Sequence, residues 1–245
     1  MTICRLALAV AGALALSVSA QAAEVRVLSS NAFKTVLEDL GPKFETASGH
    51  KLVLVFGTAA ALKGEIEKGA AVDVALLTDS GVNDLVELGK LSAATELAGS
   101  SAGVAIKRGA PKPDLSSTDA FKKMLLDAKS IAYVERGATG LYLKSLFEQL
   151  GLADQVKAKT KLVKSAGEAV ANGEAEIGFT QISEILPYPG AEVGGTLPPD
   201  IQLRTNFSTG IGPDAKDRAA AAAFVQFLAT PASAGVIKGK GLDPR

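Results

Sequence analysis

The chain has 245 residues, with 26 lysines and arginines balanced by 26 aspartates and glutamates. No block of either charge stands out, which argues against nucleic acid as a partner, because nucleic-acid-binding surfaces are strongly basic. One histidine, no tryptophan and 5% aromatic residues provide little material for a metal site, a base-stacking platform or histidine-based catalysis. We therefore expect no metal and no cofactor.

Residues 1–22 have the pattern of a cleavable export signal. Arg5 gives the positive start, an apolar run follows from Leu6 to Val18, and Ala20-Gln21-Ala22 forms an A-x-A cleavage site. No later stretch approaches the roughly 18 apolar residues that a membrane span needs. We expect a soluble periplasmic protein without membrane insertion, whose mature form lacks the single cysteine, Cys4.

The first part of the mature chain alternates strand and helix patterns. Apolar runs of strand length occur at 25–29, 51–57 and 72–78, and helical patterns at 33–47 and 60–68 separate them. This β-α-β-α-β order predicts a mainly parallel sheet flanked by helices.

A proline interrupts the first of these helical patterns. Proline lacks a backbone N–H and clashes with the preceding turn, so Pro42 predicts a kink or an early break in the helix over 33–47.

A second strand and helix series follows the strand pattern at 101–109. Its predicted helices lie at 120–128, 141–150 and 168–172, and its predicted strands at 130–135, 159–164 and 175–181. Proline and glycine mark 186–200 as a loop with at most one short strand. A strand pattern at 202–212 and two helices within 214–241 complete the chain.

Two similar α/β series predict a protein of two lobes. We expect the first lobe to contain 23–101 and 208–245, and the second to contain 108–202. The chain would cross between them at 102–107 and 203–207, which we interpret as hinges.

Three strand patterns end in small polar residues or glycine at the start of a helix. They read LSSNAF, FGTAAAL and ERGATGLY. A helix beginning presents unpaired N–H groups and a partial positive charge, and it lies at the carboxyl end of a parallel strand, where ligands commonly bind. Such residues also cap helices without any ligand. The predicted ligand-binding residues are Ser29, Ser30, Asn31, Thr58, Ala59, Gly137, Ala138, Thr139 and, from a fourth strand end, Gln181.

The order of these stretches resembles the periplasmic solute-binding proteins of ABC uptake systems, specifically the molybdate-binding type. The more particular parts are IEKGAAVDV and GEAEIGF, and the resemblance covers essentially the whole mature chain. It implies a type II periplasmic binding fold, in which two mainly parallel sheets flanked by helices are joined by two crossover strands. It also implies a small anionic ligand and an ABC permease as partner. We expect a monomer.

The resemblance is weaker at the ligand itself. In molybdate binders two serines and a tyrosine hold the oxyanion, and these positions correspond here to Ala32, Ala59 and Gln181. Backbone donors remain, while side-chain donors shift to neighbouring hydroxyls and Asn31. We therefore expect an organic carboxylate or an oxyanion other than molybdate or tungstate.

Other stretches, among them RGAPKPDLSSTDAFK and SIAYVERGATGLYL, are similar to aconitate isomerase, an enzyme on the same fold. This resemblance implies, as an alternative, the interconversion of cis- and trans-aconitate by allylic proton transfer. The base would then be Glu135, Tyr142 or Ser30. Arg136 and Arg204 are candidates for pairing with carboxylates, although a solvated surface position is the favoured interpretation of both.

Overall fold

The structure, a computed structural model, describes residues 22–245. The predicted export signal at 1–22 lies outside these residues except for Ala22.

The first lobe is built mainly from the beginning and the end of the described chain. Its elements are β1 (Glu24–Ser30), a 3-10 helix (Asn31–Phe33), α1 (Lys34–Ser48), β2 (Lys51–Gly57), α2 (Ala59–Glu67), β3 (Val74–Thr78), α3 (Asp79–Glu87) and the start of β4 (Thr95–Lys107).

The second lobe continues from the end of β4. Its elements are α4 (Thr118–Asp127), β5 (Ile131–Tyr133), α5 (Ala138–Gln149), α6 (Ala153–Lys157), β6 (Thr160–Leu162), α7 (Ala166–Ala171), β7 (Ile177–Gln181), a 3-10 helix (Ile182–Glu184), β8 (Ala191–Thr196) and a 3-10 helix (Pro199–Ile201). The chain then returns to the first lobe through β9 (Arg204–Ile211), α8 (Arg218–Leu228), α9 (Pro231–Gly239) and β10 (Asp243–Pro244).

Each lobe contains three parallel strands joined to antiparallel neighbours. In the first lobe β1 pairs in parallel with β2 and β3, and β9 runs antiparallel to β3. In the second lobe β5 pairs in parallel with β6 and β7. This is the predicted fold class, and it brings the carboxyl ends of the parallel strands of both lobes towards the space between them.

Strand β4 belongs to both sheets. Residues 95–101 pair with β9, and residues 102–107 pair with β7 and β8. Beside this change of sheet, the Ala102 N–H donates to the Leu203 carbonyl at 2.9 Å. The two crossings therefore lie next to each other, and the hinge ranges 102–107 and 203–207 remain predictions about motion.

Helices cover both faces of each sheet. Helices α1, α8 and α9 bury one face of the first sheet around Phe33, Phe44 and Phe224, while α2 and α3 bury the other. In the second lobe α4, α5 and α6 pack around Phe121 and Phe179 on one face, and α7 covers the other. These apolar layers hold the strand ends in place.

The early break predicted at Pro42 is wrong. Helix α1 continues through Pro42 to Ser48, where Gly49 ends it with a positive φ of 76°. The buried neighbours Gly41 and Phe44 hold this part of the helix against the sheet, while Pro42 itself faces solvent.

Two further helices were not predicted, α3 and the five-residue α6. Within residues 22–245 no single helix is long and apolar enough to cross a membrane, and α8 and α9 reach that length only together, across a bend of 63°.

Candidate functional site

A small cavity of about 40 Å³ lies between the two lobes. Residues of the first lobe line one side, and residues around the start of α5 and the end of β7 line the other. The lining is formed by Ser30, Asn31, Ala32, Thr58, Ala59, Thr78, Val134, Gly137, Ala138, Thr139, Gly140, Phe179, Thr180, Gln181, Glu184 and Phe207.

The structure brings eight of the nine predicted ligand-binding residues to this one cavity. The exception is Ser29, which is fully buried and does not line it. Successive side chains of a strand point to opposite faces, so Ser29 and Ser30 cannot both face the same space. The Ser29 hydroxyl instead donates to the Ser30 carbonyl at 3.2 Å. Ligand binding by the other eight residues remains a prediction.

The first-lobe wall of the cavity is built from hydroxyl groups at the beginnings of helices. Ser30, Thr58 and Thr78 each accept a hydrogen bond from a backbone N–H of the following helix, at 3.4, 3.3 and 3.3 Å. Because each hydroxyl oxygen accepts the helix N–H, its own proton can be donated to a ligand. Thr78 was not singled out from the sequence, although a strand running into a threonine and a helix is the same signal.

The second-lobe wall begins with the first turn of α5. Gly137 precedes the helix, and no side chain of the described residues caps its first N–H groups. A Cβ on Gly140 would lie 2.0 Å from the Val134 carbonyl oxygen, so only glycine allows α5 to begin this close to the end of β5. Uncapped N–H groups and the positive end of the helix dipole therefore face the cavity.

Gln181 joins this wall to strand β9. Its Nε2 donates to the hydroxyls of Thr139, at 3.2 Å, and Thr205, at 3.0 Å. Its Oε1 is buried and has no partner among the described residues. Rotating the amide by 180° would let both hydroxyls donate to the oxygen and would free the N–H₂ group as a donor. In either orientation, one polar atom of the Gln181 amide has no hydrogen-bond partner within 22–245 and is available to a ligand.

Glu184 is a cavity residue that the sequence did not indicate. It ends the 3-10 helix Ile182–Glu184, and its carboxylate accepts a hydrogen bond from the Thr180 hydroxyl. Burial raises the pKa of Glu184 above its ordinary value of 4.5, although the bonds from Thr180 and the Gln181 N–H oppose this. Among the described residues that line the cavity, it is the one titratable side chain.

The cavity is otherwise neutral. No lysine or arginine is among its lining residues within 22–245. No group of three or more His, Cys, Asp or Glu side chains in the same range is arranged to hold a metal ion. The lining provides neutral hydrogen-bond donors: hydroxyl groups, an amide and helix N–H groups. Such donors suit a desolvated anion.

The structure places the other candidates elsewhere. Glu135 and Arg136 are exposed and do not line the cavity. The Tyr142 hydroxyl donates to the Ile201 carbonyl at 2.8 Å, and burial raises its pKa. Arg204 pairs with Asp243 at 2.8 Å on the surface. Of the three candidate bases only Ser30 reaches the cavity.

Two α/β lobes joined by two neighbouring strands, with helix beginnings meeting in the space between them, define the type II periplasmic binding fold. The periplasmic molybdate-binding protein of Azotobacter vinelandii has this fold and superposes with a TM-score of 0.73, at 22% identity over 89% of this chain and 98% of that one.

The chain belongs to the bacterial extracellular solute-binding protein family, whose sequence profile matches residues 25–243. It is 33% identical to an aconitate isomerase of a Pseudomonas species, over 89% of this chain and 87% of that protein. It is 30% identical to a molybdate-binding protein of Azotobacter vinelandii, over 94% of each chain. The predicted family resemblance is confirmed.

Proposed function

We propose that the protein captures a small anion in the cavity between its lobes and delivers it to an ABC-type permease. The observation that carries this proposal is the meeting of helix beginnings from both lobes at one cavity. Each helix N-terminus contributes N–H groups and a partial positive charge. Together these groups replace the water around an anion, so the site needs no lysine or arginine to hold it. Membership of a solute-binding family supports the same function.

The size of the cavity favours a compact anion. A bound water needs about 10–15 Å³ of such space, so a cavity of about 40 Å³ has room for only three or four water-sized positions. A tetrahedral oxyanion or a small carboxylate fits this space. An extended tricarboxylate needs the lobes to lie further apart.

We also propose that the protein works in the periplasm as a monomer. The A-x-A pattern at residues 20–22 supports export. The solved relative of Azotobacter vinelandii is described as periplasmic, which supports the same location. The permease would receive the closed, loaded protein.

A ligand screen tests the proposed function. Thermal unfolding of the mature protein should be measured with molybdate, sulfate, phosphate, small mono- and dicarboxylates, and cis- and trans-aconitate. We expect at least one compact anion to raise the unfolding temperature, because a ligand that binds only the folded state stabilises it by mass action. Calorimetry should then show one site per chain. No heat and no stabilisation with any of these anions would contradict the proposal.

A second candidate function is the isomerisation of aconitate. Two observations favour it: the 33% identity to an aconitate isomerase and the presence of an acid–base group, Glu184, in the cavity. Removing a proton from an allylic carbon and returning it to another needs one such group beside the substrate. Glu184 joins Ser30 as a candidate base and replaces Glu135 and Tyr142, which do not line the cavity.

Incubation with cis- or trans-aconitate, followed by chromatography, tests this candidate. Isomerisation by the wild type and its loss in Glu184→Gln would support it. Tight binding of a compact anion without any interconversion would leave solute capture as the function.

A further inference from the structure

Glu184 lies where the cavity meets the outside of the protein. Besides lining the cavity, it lines an adjoining groove between the start of α1 and the segment that leads into α7. It is therefore within reach of both a bound ligand and the groove.

The protein holds Glu184 in a fixed position. Its carboxylate accepts a hydrogen bond from the Thr180 hydroxyl. Its backbone packs on α7, where a Cβ on Gly167 would lie 2.5 Å from the Glu184 carbonyl oxygen. The carboxyl group consequently has little freedom to turn away from the cavity.

No cation neutralises Glu184 among the described residues. The charged groups that share its groove are all exposed, and none forms an ion pair with it within 22–245. Lys34 faces Glu38 at 3.9 Å. The remaining titratable groups along the groove are Lys164, Glu168 and Tyr188, and the Tyr188 hydroxyl is bonded to Ser165 at 3.1 Å.

We propose that Glu184 carries a proton when the cavity is occupied and donates a hydrogen bond from its carboxyl group to the bound anion. This inference rests on the proposed function. An ionised carboxylate in the same place would repel an anion in a space with little water, whereas the neutral acid adds one more donor to the hydroxyls and N–H groups. No bond is broken in this step, and the proton is held by Glu184 throughout.

Binding and protonation are then linked. The anion binds only the protonated form, so it also raises the affinity of Glu184 for its proton. At pH values above the pKa of Glu184 in the free protein, the protein takes up one proton from the solution for each anion that binds. Affinity there falls about tenfold for each unit of pH.

Calorimetry of the mature protein with sulfate and molybdate measures this linkage. These anions carry no proton near neutral pH, so titrations in two buffers of different ionisation enthalpy report the protons taken up by the protein. We expect uptake approaching one proton per anion at the alkaline end of a series from pH 5 to 9. Glu184→Gln keeps a donor at this position but does not titrate, so its uptake should vanish and its affinity should change less than about twofold across the series. Glu168→Gln, in the same groove, should behave as the wild type.

Unfolding of the ligand-free protein provides a second measurement. A native pKa above 4.5 means that the folded state holds the proton more tightly than the unfolded state. Protonated Glu184 therefore stabilises the folded state fully at pH values below the ordinary pKa of 4.5. This stabilisation is lost as pH rises through the pKa of Glu184 in the folded protein. The wild type should lose stability relative to Glu184→Gln over that interval.

The outcomes separate the two proposals. If no anion of the ligand screen binds to the wild type, the proposed function is wrong, and so is the role of Glu184 that depends on it. If an anion binds without proton uptake and with the same pH profile in Glu184→Gln, only the role of Glu184 is wrong. Proton uptake that the glutamine variant abolishes supports both.

Discussion

The two walls of the cavity position their donors by different means. On the first-lobe wall, side chains cap the helices, since Ser30, Thr58 and Thr78 each accept a backbone N–H. On the second-lobe wall, α5 begins without a side-chain cap and is positioned by the close approach at Gly140. One wall therefore depends on hydroxyl groups and the other on the path of the backbone.

This difference predicts different responses to substitution. A lost hydroxyl on the first wall removes one cap and one donor, while the backbone stays where it is. A displaced backbone on the second wall removes several N–H donors at once. The largest effects are therefore expected at the start of α5.

Gly140→Ala tests the second wall most severely. The added Cβ would lie 2.0 Å from the Val134 carbonyl oxygen, so the first turn of α5 has to move. We expect a loss of about 2–3 kcal/mol in unfolding free energy and no measurable anion binding. Denaturant unfolding and calorimetry check both results.

The matched control is Gly64→Ala, in α2, where no atom lies within 4 Å of the added Cβ. Its stability should stay equal or rise by about 0.5–1 kcal/mol, because alanine favours a helix over glycine. Normal binding by Gly140→Ala would show that the N–H groups of α5 do not hold the ligand.

Gln181→Ala tests the link between the second-lobe wall and β9. Its removal leaves the buried hydroxyls of Thr139 and Thr205 without their shared partner. We expect a loss of about 1–3 kcal/mol in stability and about a tenfold loss of affinity. The exposed Gln149→Ala is the control and should change neither. Unchanged affinity in Gln181→Ala would remove this amide from the binding site.

Thr58→Ala tests the first-lobe wall, where the expected effect is smallest. It removes the cap that accepts from the Ala61 N–H at 3.3 Å. Ser117→Ala removes a similar cap from α4, where the hydroxyl accepts from the Ala120 N–H at 3.2 Å outside the cavity. Both should lose about 1 kcal/mol of stability, but only Thr58→Ala should weaken anion binding. An equal effect of the two variants on binding would contradict a ligand role for Thr58.

Local sequence patterns were sufficient to predict most of the fold and the turns that form the cavity. Strand and helix periodicity predicted the two α/β series, and parallel pairing then brings the turns at Ser30, Thr58 and Gly137 to the same side of their sheets. The family resemblance predicted that two crossover strands join the two sheets. Thr78 could have been found by the same local signal.

The remaining features depend on contacts between distant parts of the chain. In the stretch QISEI, Glu184 resembles an ordinary surface glutamate, but the fold places it at the cavity, where α7 approaches its backbone at Gly167. Ser29 and Ser30 differ in their roles because of the pleat of β1. The continuation of α1 past Pro42 depends on the layer of side chains beneath it.

The neutral lining of the cavity has a consequence for the conditions under which the protein can work. Dissolved salt screens exposed charges over a Debye length of about 8 Å at physiological ionic strength, but it acts little on hydroxyl and N–H donors enclosed between two lobes. A bound anion held by neutral donors should therefore dissociate at nearly the same rate at low and at high salt concentration. Such a property suits a compartment whose ionic composition follows that of the surroundings.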